Sequence, residues 1–273
     1  MISHARLILM ATAALFVTSC SSLSASSSSS SNDVISSTPP VTTSAAAASA
    51  PQPPVTTSAA AAAAPQSPLL AGNARPQYPA GTPGQMGVVY QAPIQPKSVG
   101  TAVPIVLRNN TSAAVAHVEV SATAKDQGGK IVASGSSQGT DPSTIQPGQW
   151  ALAFIYFEPG SALSSADTLS FAFQSVPAST DPFNTAAIQV TQANLSGSSI
   201  AGGVQNTTGH LVQGPISVHA YCLDSAGNPT SEVGGFTSGL SGDLAPSATD
   251  SFQLSLFDQG CASFLVGAAG YYK

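Results

Sequence analysis

The segment Val118-Glu119-Val120-Ser121-Ala122-Thr123-Ala124-Lys125-Asp126 has a counterpart 98 residues further on, Ile216-Ser217-Val218-His219-Ala220-Tyr221-Cys222-Leu223-Asp224. In both, apolar and polar side chains alternate, the period of a half-buried β-strand. Each runs into an acid followed by a glycine turn, Asp126-Gln127-Gly128-Gly129 and Asp224-Ser225-Ala226-Gly227. A hairpin needs such residues at its left-handed positions. Around this pair, other features recur in the same order. Arg108-Asn109-Asn110-Thr111 matches Gln205-Asn206-Thr207-Thr208, and Ile145-Gln146-Pro147-Gly148 before Phe154 matches Leu244-Ala245-Pro246-Ser247 before Phe252. The chain from about residue 86 is therefore a tandem repeat of short strands with no helical period, which predicts an all-β fold of two antiparallel β-sandwiches, residues 86–178 and 185–273.

The preceding part cannot make a similar core. From Ser21 to Leu70, 39 of 50 residues are Ser, Ala, Pro or Thr, and no aromatic residue lies between Phe16 and Tyr78. So little bulky apolar surface does not offset the entropy of ordering a chain. Pro39-Pro40-Val41-Thr42-Thr43-Ser44-Ala45 recurs as Pro53-Pro54-Val55-Thr56-Thr57-Ser58-Ala59, too polar and proline-rich for a solenoid. Residues 20–85 are expected to be a disordered linker.

Residues 1–19 have a weakly basic start (His4, Arg6) and an apolar run from Leu7 to Val17. The run is too short to span a bilayer and suits a signal peptide. Val17-Thr18-Ser19-Cys20 resembles the lipobox of bacterial lipoproteins. The resemblance implies cleavage before Cys20 and acylation of Cys20, so that membrane lipid is the first partner. The mature chain would be lipid-anchored to the cell membrane or outer membrane, facing the periplasm or cell exterior, without crossing the bilayer. Cys222 and Cys261 then remain as an even pair in an oxidising compartment, and a disulfide is expected. A metal pair is disfavoured because no His or Cys stands at ligand spacing from either. Ile216, Val218, Ala220 and Cys222 share the inward face of their strand, and the first repeat has Ala124 in place of Cys222 with no cysteine opposite.

The order of elements resembles the FxLYD-like family of immunoglobulin-like bacterial envelope domains, across both repeats. Ala122-Thr123-Ala124-Lys125-Asp126 keeps the acid of the name-giving element, and Ala220-Tyr221-Cys222-Leu223-Asp224 keeps a tyrosine and the acid in shifted positions. The resemblance implies immunoglobulin-like sandwiches and a non-catalytic role more than any particular function.

Chemistry is sparse. With 7 Lys and Arg against 12 Asp and Glu, the chain lacks the basic stripe that nucleic-acid binding requires. His117 and His210 read as loop residues and His219 as an outward, solvated strand residue. The acids, Asp141 among them, read as turn caps. No nucleophile elbow, calcium loop or phosphate loop occurs, so no catalytic residue, metal or cofactor is expected. Phe154, Tyr156, Phe171 and Phe173 fall at period two and read as core. Trp150, Tyr271 and Tyr272 are the candidate contacts for an envelope protein or glycan partner. Two functions follow: a membrane-anchored, non-catalytic binding or structural module, or an accessory enzyme or substrate carrier with its site between the two domains. A deep inter-domain pocket lined by converging acids or histidines would favour the carrier or enzyme, and a pocketless pair of sandwiches the module.

Overall fold

The computed structural model describes residues 66–239, 242–257 and 259–273. Cys20, the expected signal peptide, the expected linker up to residue 65, and Leu240, Ser241 and Asp258 lie outside the described residues.

The first sandwich packs β2 (Met86–Gln91), β3 (Thr101–Asn109) and β7 (Trp150–Phe157) against β8 (Thr168–Pro177), β4 (Val115–Lys125) and β5 (Ile131–Ser137). Residues 135–137 of β5 also pair with β7 and close one side. The second sandwich repeats the plan: β9 (Thr185–Ser196), β10 (Ser199–Gln205) and β13 (Thr249–Ser255) lie over β14 (Ser263–Tyr272), β11 (Val212–Leu223) and β12 (Pro229–Phe236). All pairings are antiparallel. Short strands β1 (Ala71–Gly72) and β6 (Thr144–Ile145) add to β14 and β4. The expected all-β tandem is thus present, and the matched strands β4 and β11 hold equivalent places.

The alternation does what its period requires. Val118, Val120, Ala122 and Ala124 enter the first core, and Ile216, Val218, Ala220 and Cys222 enter the second. Cys222 is bonded to Cys261 with their Cα atoms 5.0 Å apart. The repeated Asn-x-Thr element is an internal brace. The side chain of Asn109, fully buried, donates to the Ala113 and Ile145 carbonyls and accepts from the Thr111 amide and hydroxyl. Asn206 makes the same four bonds, to His210, Leu244 and Thr208. Buried polar groups must find partners, and these asparagines satisfy carbonyls that the bends leave outside the ladders. Asp126 and Asp224 accept from turn amides, as expected of turn caps.

The two sandwiches share a third core. Val106, Trp150, Leu152 and Phe154, on the outer face of β3 and β7, meet Tyr221, Leu223 and Leu265 on the outer face of β11 and β14. This corrects one expectation: Trp150 is only 1% exposed, edge-on to Tyr78 at 5.0 Å, and is an interior residue rather than a partner contact. Burial of so large an apolar surface is the stronger driving force.

Residues 66–85, expected as linker, differ as well. Leu70, Ala74 and Tyr78 belong to the same shared core. Ala71 and Gly72 pair with Val266 and Leu265, the Asn73 side chain bridges Ala262 and Phe264, and the Tyr78 hydroxyl donates to the Gly227 carbonyl. A few apolar anchors and a short ladder hold a stretch whose average composition looks unable to pack.

Candidate functional site

Beside the shared core, the sandwiches diverge around a cleft of about 980 Å³. Both supply walls, and the walls carry equivalent irregularities. The β4–β8 register shifts between Ala116 and Glu119, and the β11–β14 register between Gln213 and Ser217, which are equivalent positions in the two repeats. Such bulges turn side chains out of the regular ladder and are common beside binding sites.

A chain of polar groups crosses from one sandwich to the other at the cleft's inner side. From the second, outward residues of β11 present His219 and Tyr221, and β12 presents Glu232. From the first come Asp141, in the connection ahead of β6, and Tyr156 on β7. His219 Nδ1 lies 2.9 Å from Asp141 Oδ2 and 3.8 Å from Glu232 Oε1. The Tyr221 hydroxyl donates to the same Asp141 oxygen at 2.5 Å, and the Tyr156 hydroxyl donates to Glu232 at 2.7 Å. Asp141 is only 2% exposed, and it reaches this depth because the β14 neighbour of His219 is a glycine, Gly267. A Cβ on Gly267 would stand 2.5 Å from Asp141 Cβ and Oδ1.

The charges settle accordingly. Burial alone would push the His219 ring down. The Asp141 carboxylate, the hydrogen bond to it and Glu232 outweigh that and hold the ring up at about 9. Burial pushes Glu232 up, opposed by His219 and the Tyr156 hydrogen bond. Burial, then the nearby carboxylates, raises the Tyr156 and Tyr221 hydroxyls. At neutral pH His219 is therefore an imidazolium clasped between two acids. A folded pKa raised from about 6.5 to 9 gives stability that is complete below pH 6.5 and lost as pH rises through 9. For a ring 31% exposed, the loss is on the order of 2 kcal/mol. Urea unfolding at pH 6.5 and pH 9.5 should show that decline, and His219→Gln should flatten this limb. The tyrosines add their own loss only above pH 10, because their folded values are also raised.

This site corrects several readings. Asp141 is no turn cap and His219 is not freely solvated; each satisfies the other where domains meet. Phe154 and Tyr156 do not enter the sandwich core: Phe154 sits in the shared core and stacks on Tyr221 at 5.8 Å, while Tyr156 lines the cleft and is 37% exposed. Among the candidate contacts, Tyr271 lines the cleft, exposed and 6.2 Å from the His117 ring. Tyr272 instead packs on the second core, edge-on to His210. One signal for the buried outer faces was present: Trp150–Phe157 and Ala220–Leu223 are nearly unbroken apolar runs, the mark of strands covered on both sides. Among the described residues, no group of three or more His, Cys, Asp or Glu side chains is placed to hold a metal ion. No protein-family model matches the chain, and no curated protein matches it.

Proposed function

We propose that the protein is a bacterial envelope lipoprotein, acylated at Cys20, whose two FxLYD-like, immunoglobulin-like sandwiches form a non-catalytic binding module, and that its ligand sits in the cleft between them. The observation that carries this reading is the cleft itself, whose size lies at the upper end of small-molecule sites and whose lining converges from both sandwiches. Of the two sequence-derived functions, it combines the non-catalytic module with the substrate carrier's inter-domain site. Acid–base catalysis is disfavoured by the same geometry. A base must be poised near the working pH, whereas His219 stays protonated there, and both nearby acids already accept from tyrosine hydroxyls.

Photocrosslinking in intact cells tests the site. A crosslinking side chain in place of Phe236, an exposed cleft residue, should capture a partner, and one in place of Ile131, exposed but outside the cleft, should not. Equal capture from both, or none from Phe236, would contradict the assignment. The anchor is tested by fractionation: Cys20→Ser should move the protein from membranes to the soluble fraction, and continued membrane association would refute acylation at this residue.

A further inference from the structure

The lining of the cleft narrows the class of ligand. Among its described residues there is no Lys or Arg, while Glu119, Asp141 and Glu232 are all present. Of its two histidines, His219 is already held between two of these acids, and His117 Nε2 lies 3.0 Å from the Phe183 carbonyl. An anionic ligand would have to shed water beside carboxylates with no Lys or Arg to receive it.

What the cleft offers in quantity is uncharged hydrogen bonding. The side chains of Gln138, Gln174 and Gln213 face it and make no hydrogen bond to other described residues, nor does that of Glu119.

The rim is aromatic. Phe183, Phe236 and Tyr271 line the cleft and are 76%, 51% and 51% exposed. Phe183 is held in a left-handed conformation, φ 69°, by its amide, which donates to the Tyr272 carbonyl, and by its carbonyl, 3.0 Å from His117 Nε2. A bulky residue rarely adopts that backbone, and here it leaves the phenyl ring bare to solvent at the mouth.

Aromatic faces, unfilled glutamine amides, the free Glu119 carboxylate and the absence of Lys and Arg together match one chemistry. Resting on the binding function proposed above, we propose that the cleft takes an uncharged oligosaccharide: the C–H faces of its rings lie on Phe183, Phe236 and Tyr271, and its hydroxyls bond to Glu119 and the three glutamine amides. The test is a glycan array probed with the full-length lipidated protein in detergent, followed by calorimetric titration of the bound oligosaccharides. Binding of neutral glycans is expected, with affinity lowered about tenfold or more by Phe183→Ala and by Phe236→Ala, a loss of about 1.4 kcal/mol or more for each. Both residues are exposed, so neither variant should disturb folding. Selective binding of acidic glycans, or affinity unchanged by both substitutions, would overturn the proposal. Absence of glycan binding while Phe236 still crosslinks a partner in cells would overturn the ligand class and leave the cleft as the site. Absence of both would overturn the binding function too.

Discussion

Gly267→Ala is expected to separate the two sandwiches at the cleft without unfolding either one. Its new Cβ would fall 2.5 Å from two atoms of the Asp141 side chain, and Gly267 sits in the middle of β14, paired with His219, so the strand has little freedom to retreat. The carboxylate must leave. Overpacking alone costs roughly 1–3 kcal/mol, and loss of the Asp141 contact adds the penalty of leaving His219 and the Tyr221 hydroxyl without their acceptor. Two further variants isolate the cause. Gly87→Ala, where nothing lies within 4 Å of the added atom, should be nearly neutral. Gly267→Ala combined with Asp141→Ala should cost less than the sum of the single changes, because the collision disappears with the side chain. Additive costs in urea unfolding would show that Gly267 and Asp141 are not in contact.

Loss of the disulfide should have the second large effect. Cys222 lies on β11 and Cys261 just before β14, 39 residues apart in sequence, so the bond closes a loop that contains β12 and β13. Chain-entropy reasoning gives about 4 kcal/mol for a loop of this length. Cys222→Ala with Cys261→Ala should lower the urea midpoint of the second sandwich accordingly, with a steeper slope because the uncross-linked unfolded chain exposes more surface. The consequence reaches the cleft, because β11 and β14 also carry Tyr221, Leu223 and Leu265 into the shared core. An unchanged midpoint would mean that the bond contributes nothing to the folded state.

The sandwiches were legible because their signals are local. Alternation over Val118–Ala124 and Ile216–Cys222 places the inward residues, Asp126 and Asp224 mark the hairpins, and the inward phase of Cys222 points it toward a partner. The site was not legible because its parts are 78 and 80 residues apart, Asp141 meeting His219 and Tyr221. A strand's period separates inside from outside, but it does not tell whether the outside meets water or a second domain. His219 therefore read as solvated and Trp150 as a contact. Composition misled in a different way at residues 66–85: averages over a Ser/Ala/Pro/Thr-rich stretch conceal single anchors such as Leu70 and Tyr78, and only the face that receives them makes them structural.

The cleft depends on the clasp that joins its two walls, and the titration of His219 reports that clasp directly. Following the His219 ring by NMR from pH 5 to 10.5 in the native chain should give a midpoint near 9, moving down toward 6.5 in Asp141→Asn. A midpoint near 6.5 in the native protein, unmoved by that substitution, would mean that Asp141 and His219 do not meet and that the two sandwiches do not enclose this site.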